Sequence, residues 1–340
     1  MEVPNDMVVT TDKLGVAIIG CGEMGEKHLQ AYLKEPRCEI RWLCDMDLAK
    51  ALILAHKYGV PADRCVTEAG RISESPETHI VSIATYDNAH AAPVIAALLR
   101  GQAVFCEKPL VYSQEEWDVL YRTWRDTKRP LVSHFPLRTV PAFTQLRKQI
   151  QRGAFGDIFA VEGTYLWGRL YKLTDGWRRE ILNYSVMLGG GIHLVDLLCW
   201  LTGQYPETVT ASGNGFCTAL SVNDYVTATF QFPSGMIGGV TCNFGAWHSH
   251  AHHVHVWGTK GTFLSDGTMV TSYDDGKLGL RGESPRIPEE PLLIHAFVQA
   301  VAEGKDLSKQ TEHDLRIVAV CLAADEAVAT GASVPCLELL

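Results

Sequence analysis

Three glycines, Gly20, Gly22 and Gly25 in the segment GVAIIGCGEMGEKH, are the clearest chemistry in this 340-residue chain. A GxGxxG that follows an apolar strand and opens a helix is built for phosphate. The first glycine allows a tight turn, the second lets the backbone approach a pyrophosphate, and the third permits close helix–strand packing. The pyrophosphate then rests on the unpaired amides at the start of the helix, where Glu23 and Met24 lie. The next strand, EIRWLCD, ends at Asp45, 25 residues beyond Gly20. A carboxylate there accepts hydrogen bonds from both hydroxyls of an adenosine ribose. It also repels a 2′-phosphate, since like charges at ~4 Å cost on the order of 1–4 kcal/mol between water-like and near-surface dielectric. Asp47 adds a second negative charge, and no Arg or Lys immediately follows. The expected cofactor is NAD in preference to NADP.

The elements that must hold this turn alternate in hydrophobic period. Short apolar runs at Leu14–Ile19, Glu39–Cys44, His79–Thr85, Gln102–Cys106 and Pro130–Ser133 read as strands. Amphipathic stretches at Met24–Lys34, Leu48–Tyr58, Asn88–Leu99 and Gln114–Thr127 read as the helices between them. Near-continuous apolar strands separated by helices predict a parallel, doubly wound sheet covered on both faces. After about residue 135 the pattern changes. A helix at Pro141–Arg152 is followed by longer alternating strands, among them Tyr225–Phe232 and Met236–Phe244 around the turn Pro233-Ser234-Gly235. His253–Trp257 and Thr262–Leu264 continue the series, and helices at Leu292–Ala302 and Leu315–Ala329 close the chain. The reading is α/β: a Rossmann domain over 1–133, then an α+β domain over 134–340 with an antiparallel or mixed sheet.

Composition narrows the partners. The formal net charge of −9 repels nucleic-acid backbones and anionic membrane surfaces, so neither is expected. No apolar stretch approaches the ~18 residues of a membrane span, and the opening MEVPNDMVVTTDK lacks the regions of a secretory signal. Ten cysteines are scattered without a CxxC pair, several inside apolar runs. Buried free thiols in a reducing compartment account for that pattern, and a cytoplasmic location is expected.

Three further segments, SIATYDNAH (82–90), CEKPL (106–110) and GGGIHLVDLLCWLTG (189–203), join the glycine turn in a shared pattern. With GAFGDI and WGTKGTF, they make the chain resemble the Gfo/Idh/MocA family of glucose–fructose oxidoreductases and inositol dehydrogenases. The resemblance covers nearly the whole chain. It implies a C-terminal domain with a large open, mostly antiparallel sheet that binds substrate and mediates homodimers or homotetramers. It implies oxidation or reduction of sugars, cyclitols or similar polyols with NAD(P). The family's Glu-Lys-Pro motif falls on Glu107, Lys108 and Pro109, its lysine beside nicotinamide and substrate, with a cis peptide before the proline. The ATPxxxH motif falls on Ala84 to His90 and puts Thr85, Asn88 and His90 at the cofactor, with Tyr86 in place of the usual proline. The family's catalytic histidine falls on His193.

The chemistry needs such a pair. As hydride leaves carbon, the hydroxyl proton must pass to a base of near-neutral pKa, the role of His193. A cationic Lys108 would stabilise the developing alkoxide. Asp196, one turn after His193, is expected to give structural support. The family commonly has an aspartate where this chain has Gly189, so the glycine is expected to widen the pocket for a larger or amino-bearing substrate. Arg138, Tyr165, Trp167, Arg169, Trp177 and Arg178 are the remaining substrate candidates, because aromatic faces and hydrogen-bond donors suit sugar rings. The run HSHAHHVH (248–255) would place His248, His250 and His252 on one strand face, with His253 and His255 on the other. A sheet-interface or substrate-rim role is expected for it, and no metal.

The sequence thus describes an NAD-dependent oxidoreductase acting on a secondary hydroxyl or ketone of a sugar, cyclitol, aminocyclitol or nucleotide-sugar. Two other readings keep the cofactor: a glycoside hydrolase working through transient oxidation, and a non-catalytic NAD-binding sensor or partner subunit.

Overall fold

The computed structural model describes residues 13–274, 277–283 and 292–336; the stretch 1–12, read above for a secretory signal, lies outside them. By their contacts the residues divide into two units, Met1–His134 with Glu289–His313, and Phe135–Pro288 with Asp314–Leu340.

The first unit begins β1 (Leu14–Ile19), α1 (Glu23–Leu33), β2 (Cys38–Cys44) and α2 (Leu48–Tyr58). It continues β3 (Cys65–Val66), α3 (Ala69–Ser73), β4 (Ile80–Ile83), α4 (Ala91–Leu99), β5 (Ala103–Cys106), α5 (Gln114–Thr127) and β6 (Leu131–Ser133). The six strands pair in parallel in the order β3-β2-β1-β4-β5-β6. Every residue of β1 is buried, as a parallel strand covered on both faces requires. The short pair β3 and α3 carried no periodic signal. The helix expected from Asn88 starts instead at Ala91, because Asp87–Ala89 form a separate turn closed by Ala89 N–H to the Tyr86 carbonyl at 2.8 Å.

Behind the ends of β4 and β5 lies a buried polar network. Oε1 of Glu107 accepts from Nδ1 of His134 at 2.8 Å and from Nε2 of His28 at 3.2 Å. The Ser82 hydroxyl completes His28 from its other side, 3.0 Å from Nδ1. Burial pushes the Glu107 carboxyl up, but the two imidazoles outweigh it and hold the group well below the usual carboxylate range.

In the second unit α6 (Pro141–Gln151) leads to β7 (Ile158–Leu166), the short α7 (Tyr171–Thr174) and α8 (Ile192–Thr202). Then come β8 (Thr208–Asn214), β9 (Tyr225–Gln231), β10 (Ile237–Asn243), β11 (Ala251–Gly258), β12 (Gly261–Ser265), β13 (Met269–Asp274) and β14 (Lys277–Glu283). α9 (Leu292–Ala302) belongs to the first unit, α10 (Ser308–Thr330) runs from the first unit into the second, and β15 (Val334–Pro335) ends the described chain. The nine-stranded sheet has the order β14-β13-β12-β11-β7-β10-β9-β8-β15. Only β7 and β10 pair in parallel. Burial strictly alternates along β9, the mark of a sheet with one covered and one open face. The hairpin expected at Pro233-Ser234-Gly235 joins β9 to β10, with Gly235 at φ +83°.

The contacts move the expected division at 133/134 by one residue, to His134/Phe135, and group Glu289–His313 with the N-terminal unit. On α9, Ile294, Phe297, Val298 and Val301 form one apolar stripe, and they share a core with Leu14, Val16, Leu29 and Phe105.

A second buried network organises the C-terminal unit. Arg138, just after β6, donates from Nε to both carboxylate oxygens of Asp196, at 3.1 and 3.0 Å, and its Nη2 also contacts that carboxylate. The same Nη2 reaches Asp314 on α10 at 2.9 Å. Both aspartates are fully buried, so the guanidinium is held in its charged form more firmly than in water despite its own desolvation.

Two measurements follow from these networks. Replacing Arg138 by Leu removes the guanidinium from two buried carboxylates and is expected to cost about 3–5 kcal/mol in urea unfolding. A loss below 1 kcal/mol would contradict the arrangement. Glu107 has a depressed pKa, so its contribution is fully present above the unfolded carboxyl's value of about 4.3 and is lost as pH falls through the folded value. The melting-temperature gap between wild type and Glu107→Gln is therefore expected to be widest above pH ~5 and to shrink on acidification; an equal gap at pH ~4 and pH ~8 would refute it.

Candidate functional site

In the first unit the candidate residues gather at the carboxyl ends of the parallel strands, where the strand order reverses between β1 and β4. Gly20 has φ +94°, and a Cβ on it would stand 2.4 Å from the Ala84 carbonyl. At Gly25 a Cβ would come within 1.8 Å of the Gly20 carbonyl, so the helix can start this close to the strand only without a side chain. Around Gly22 a Cβ would meet no protein atom within 4 Å. The missing side chain there leaves open the approach to the first amides of α1, where Glu23 and Met24 lie. Asp45 is held rigidly: its two oxygens accept from Cys21 N–H at 2.8 Å and Asp47 N–H at 2.9 Å. Asp47 itself caps α2 by accepting from Ala49 N–H at 3.1 Å. A cradle of open amides beside an oriented carboxylate fits the pyrophosphate and adenosine ribose of NAD.

The loops after β4 and β5 supply the other cofactor candidates. Asn88 is exposed on the turn after β4, and Thr85 ties that turn to the Ala89 carbonyl at 3.0 Å. Lys108 is half-buried, and its peptide bond to Pro109 is cis, as the motif implies. His90 and Glu107 differ from expectation. His90 is buried and bridges two loop carbonyls, with Nδ1 2.6 Å from that of Pro109 and Nε2 3.3 Å from that of Thr85. Glu107 faces His28 and His134 inside the unit. Both side chains make their bonds within the unit, His90 to the loop carbonyls and Glu107 to the two imidazoles.

In the second unit, Tyr165 is the centre of the arrangement. Its ring lies 4.8 Å from that of His252, 5.2 Å from His250, 5.9 Å from Phe244 and 6.4 Å from His193. His193 is half-buried at the second residue of α8, and its edge also meets Phe135 at 6.4 Å. The three glycines before it explain how it reaches this place. They form a π-helical turn, Met187–Gly191. A Cβ on Gly190 would stand 2.5 Å from the Tyr165 ring, and one on Gly191 would stand 2.4 Å from Sγ of Cys242. Gly163 on β7 likewise makes room for Leu194, which a Cβ there would approach at 3.1 Å.

Gly189 does not widen a pocket. A Cβ there would lie 2.0 Å from the Tyr184 hydroxyl, so the phenol already fills the space where an aspartate would project. That hydroxyl accepts from Nε of Arg178 at 3.1 Å, and the Arg178 guanidinium lies 4.2 Å from the Trp177 ring. Trp167 is buried and stacks on Phe244 at 4.2 Å, which makes it a wall supporting the site. Arg138 is withdrawn from the substrate role by its two aspartates, and Asp196 supports α8 as expected.

The histidine run separates differently from a simple alternation. β11 begins only at Ala251, so His248 does not share the face of His250 and His252; its ring lies 6.4 Å from that of His253. His250 and His252 turn toward Tyr165, while His255 sits on the other side near Glu162, at 3.8 Å. Tyr184 and Phe244 carried no signal in the sequence, which gave His250 and His252 only a sheet-interface or substrate-rim role. For His252 the signal was its place opposite Tyr165 in the β11–β7 register, which the sequence does not print.

Comparisons with known proteins bear on the fold and the family. A family model described as an oxidoreductase family with an NAD-binding Rossmann fold matches residues 14–135. A second, the GFO/IDH/MocA C-terminal domain, matches 143–264. The levoglucosan dehydrogenase of Pseudarthrobacter phenanthrenivorans is 26% identical over 287 residues, covering 74% of this chain and 73% of the relative. The trans-1,2-dihydrobenzene-1,2-diol dehydrogenase of Bos taurus is 28% identical over 277 residues, covering 78% and 76%. A solved levoglucosan dehydrogenase in complex with NADH and levoglucosan has a TM-score of 0.82 at 22% identity, over 96% of this chain and 100% of that one, a likeness of fold. With both parts of the chain matched, the protein belongs to the Gfo/Idh/MocA family of NAD-binding oxidoreductases.

Proposed function

We propose that the protein oxidises a secondary hydroxyl on a polyhydroxylated ring, or reduces the matching ketone, with NAD as its redox partner. The substrate class is a sugar, cyclitol, aminocyclitol or nucleotide-sugar. The observation that carries the reading is the half-buried His193 at the head of α8, flanked by Phe135 and Tyr165. Aromatic walls suit the apolar faces of a sugar ring, and imidazole is the side chain whose ordinary pKa lies near neutrality. Two relatives named as dehydrogenases, of levoglucosan and of a ring diol, support the same class.

Bound NAD supplies the hydride acceptor. Gly20, Gly22 and Gly25 admit its pyrophosphate, and Asp45 holds its adenosine ribose. Lys108 donates a hydrogen bond to the substrate oxygen and steadies the charge that develops there. His193 takes the hydroxyl proton and returns it in the reverse direction. Trp177 and Arg178 belong to the substrate rim. We assign the protein to a reducing, cytoplasmic compartment, on the ground that all ten cysteines are free thiols. We also assign it a homodimer or homotetramer built through the open face of the nine-stranded sheet, where Tyr225 and Ile237 are exposed.

The reading is tested by NADH formation over a panel of cyclitols, sugars, aminosugars and nucleotide-sugars, with NAD and NADP compared as acceptors. A hit with NAD preferred is expected, and Lys108→Ala and His193→Ala are each expected to lose about 10²–10⁴-fold in kcat. Product release without net NADH would move the reading to a redox hydrolase, and a Lys108→Ala variant with intact function to a sensor. Sedimentation is expected to show a dimer or tetramer; a monomer at micromolar concentration would remove the oligomer assignment.

A further inference from the structure

The imidazole of His252 has a partner on almost every side but one. Its ring packs 4.8 Å from Tyr165 and 4.9 Å from His250, and its edge lies 6.3 Å from the ring of His193. Its Nε2 is shielded from solvent and makes no hydrogen bond among the described residues. Leaving a buried polar atom unmatched is unfavourable, and where such an atom persists it commonly serves a ligand or an ordered water.

The surroundings say what kind of ligand fits. Burial, and then the neighbouring His250 and Arg169, hold the His252 pKa down to about 3. Nη2 of Arg169 reaches Nδ1 of His250 at 3.2 Å; a guanidinium only donates, so His250 receives that bond as a neutral ring. Neutral His252 thus offers at Nε2 either an N–H or a lone pair, according to its tautomer. A hydroxyl answers both, because it donates and accepts. A carboxylate or phosphate answers only one.

We infer that His252 is a specificity residue whose Nε2 binds a hydroxyl of the substrate ring other than the one that His193 deprotonates. The inference rests on the proposed function and deepens it. The 6.3 Å between the two imidazole centroids is a spacing that one six-membered ring can bridge with two of its hydroxyls. Recognition would then require at least two hydroxyls on the ring, and a simple secondary alcohol would be a poor substrate. The sheet register supports this placement: His252 pairs directly with Tyr165, and Tyr165 with Cys242, so the ring is held by a cross-strand row and not by a mobile loop.

The test is calorimetric binding of levoglucosan and myo-inositol to the NADH-loaded full-length protein, with NADH formation from the better ligand measured alongside. His252→Phe keeps an aromatic ring without its nitrogens, and His252→Gln keeps a donor and an acceptor. His252→Phe is expected to weaken polyol binding at least tenfold and to raise KM more than it lowers kcat, with NADH affinity unchanged. His252→Gln is expected to stay within about threefold of wild type, the part of the interaction a hydrogen bond can restore. Wild-type affinity in His252→Phe would overturn the inference while leaving the proposed function standing. Equal damage in both variants would also overturn it, since packing alone would then explain the loss. A wild-type protein that binds neither polyol would overturn the inference and count against the proposed function as well.

Discussion

The C-terminal unit depends on one guanidinium. Arg138, Asp196 and Asp314 come from segments far apart in sequence, and each aspartate is fully buried. The cost of removing two carboxylates from water is offset by one planar, permanently charged fork that donates to both. The bond to Asp196 fixes α8 one turn beyond His193, so the position of that imidazole is tied to a buried ion pair. The same bonds take Arg138 out of contention as a substrate ligand. A charged residue near a site reads as recognition when seen alone, and the buried carboxylates reassign it.

Close approach is the second constraint. Gly163 makes room on β7 for Leu194 of α8, and Gly190 and Gly191 let the turn before that helix lie against Tyr165 of β7 and Cys242 of β10. This is how a histidine on a helix comes to share a wall with residues on strands. Gly189 belongs to the same packing. In sequence it looks like a deleted substrate ligand, but the Tyr184 phenol occupies its space and brings the Arg178 donor with it. The glycine is what leaves room for that phenol.

The first unit treats its motif residues in a similar way. Gly20 and Gly25 make the tight turn and close helix approach that the GxGxxG spacing predicts, and Asp45 is fixed by the Cys21 and Asp47 amides. His90 and Glu107 sit in equally recognisable motifs, yet both are turned inward. One pins the Pro109 and Thr85 carbonyls, and the other is held between His28 and His134. His90 follows the exposed Asn88 by two positions and Glu107 precedes the half-buried Lys108 by one, and which side of a loop faces inward is set by packing.

The sequence by itself determined the parallel sheet, the glycine turn, the carboxylate at the end of β2 and the alternating strands of the second unit. All of these rest on local periods and fixed offsets, which survive without knowledge of neighbours. Tertiary structure decided what long-range partners decide. α9 joins the N-terminal unit because its apolar stripe meets the core of Leu14, Val16 and Phe105, and a stripe alone does not name its partner. Arg138 became structural because Asp314 lies 176 residues away in sequence and 2.9 Å away in space. His252 stands beside Tyr165 because the β11–β7 register pairs the two, and a register is a relation between strands that neither strand encodes alone.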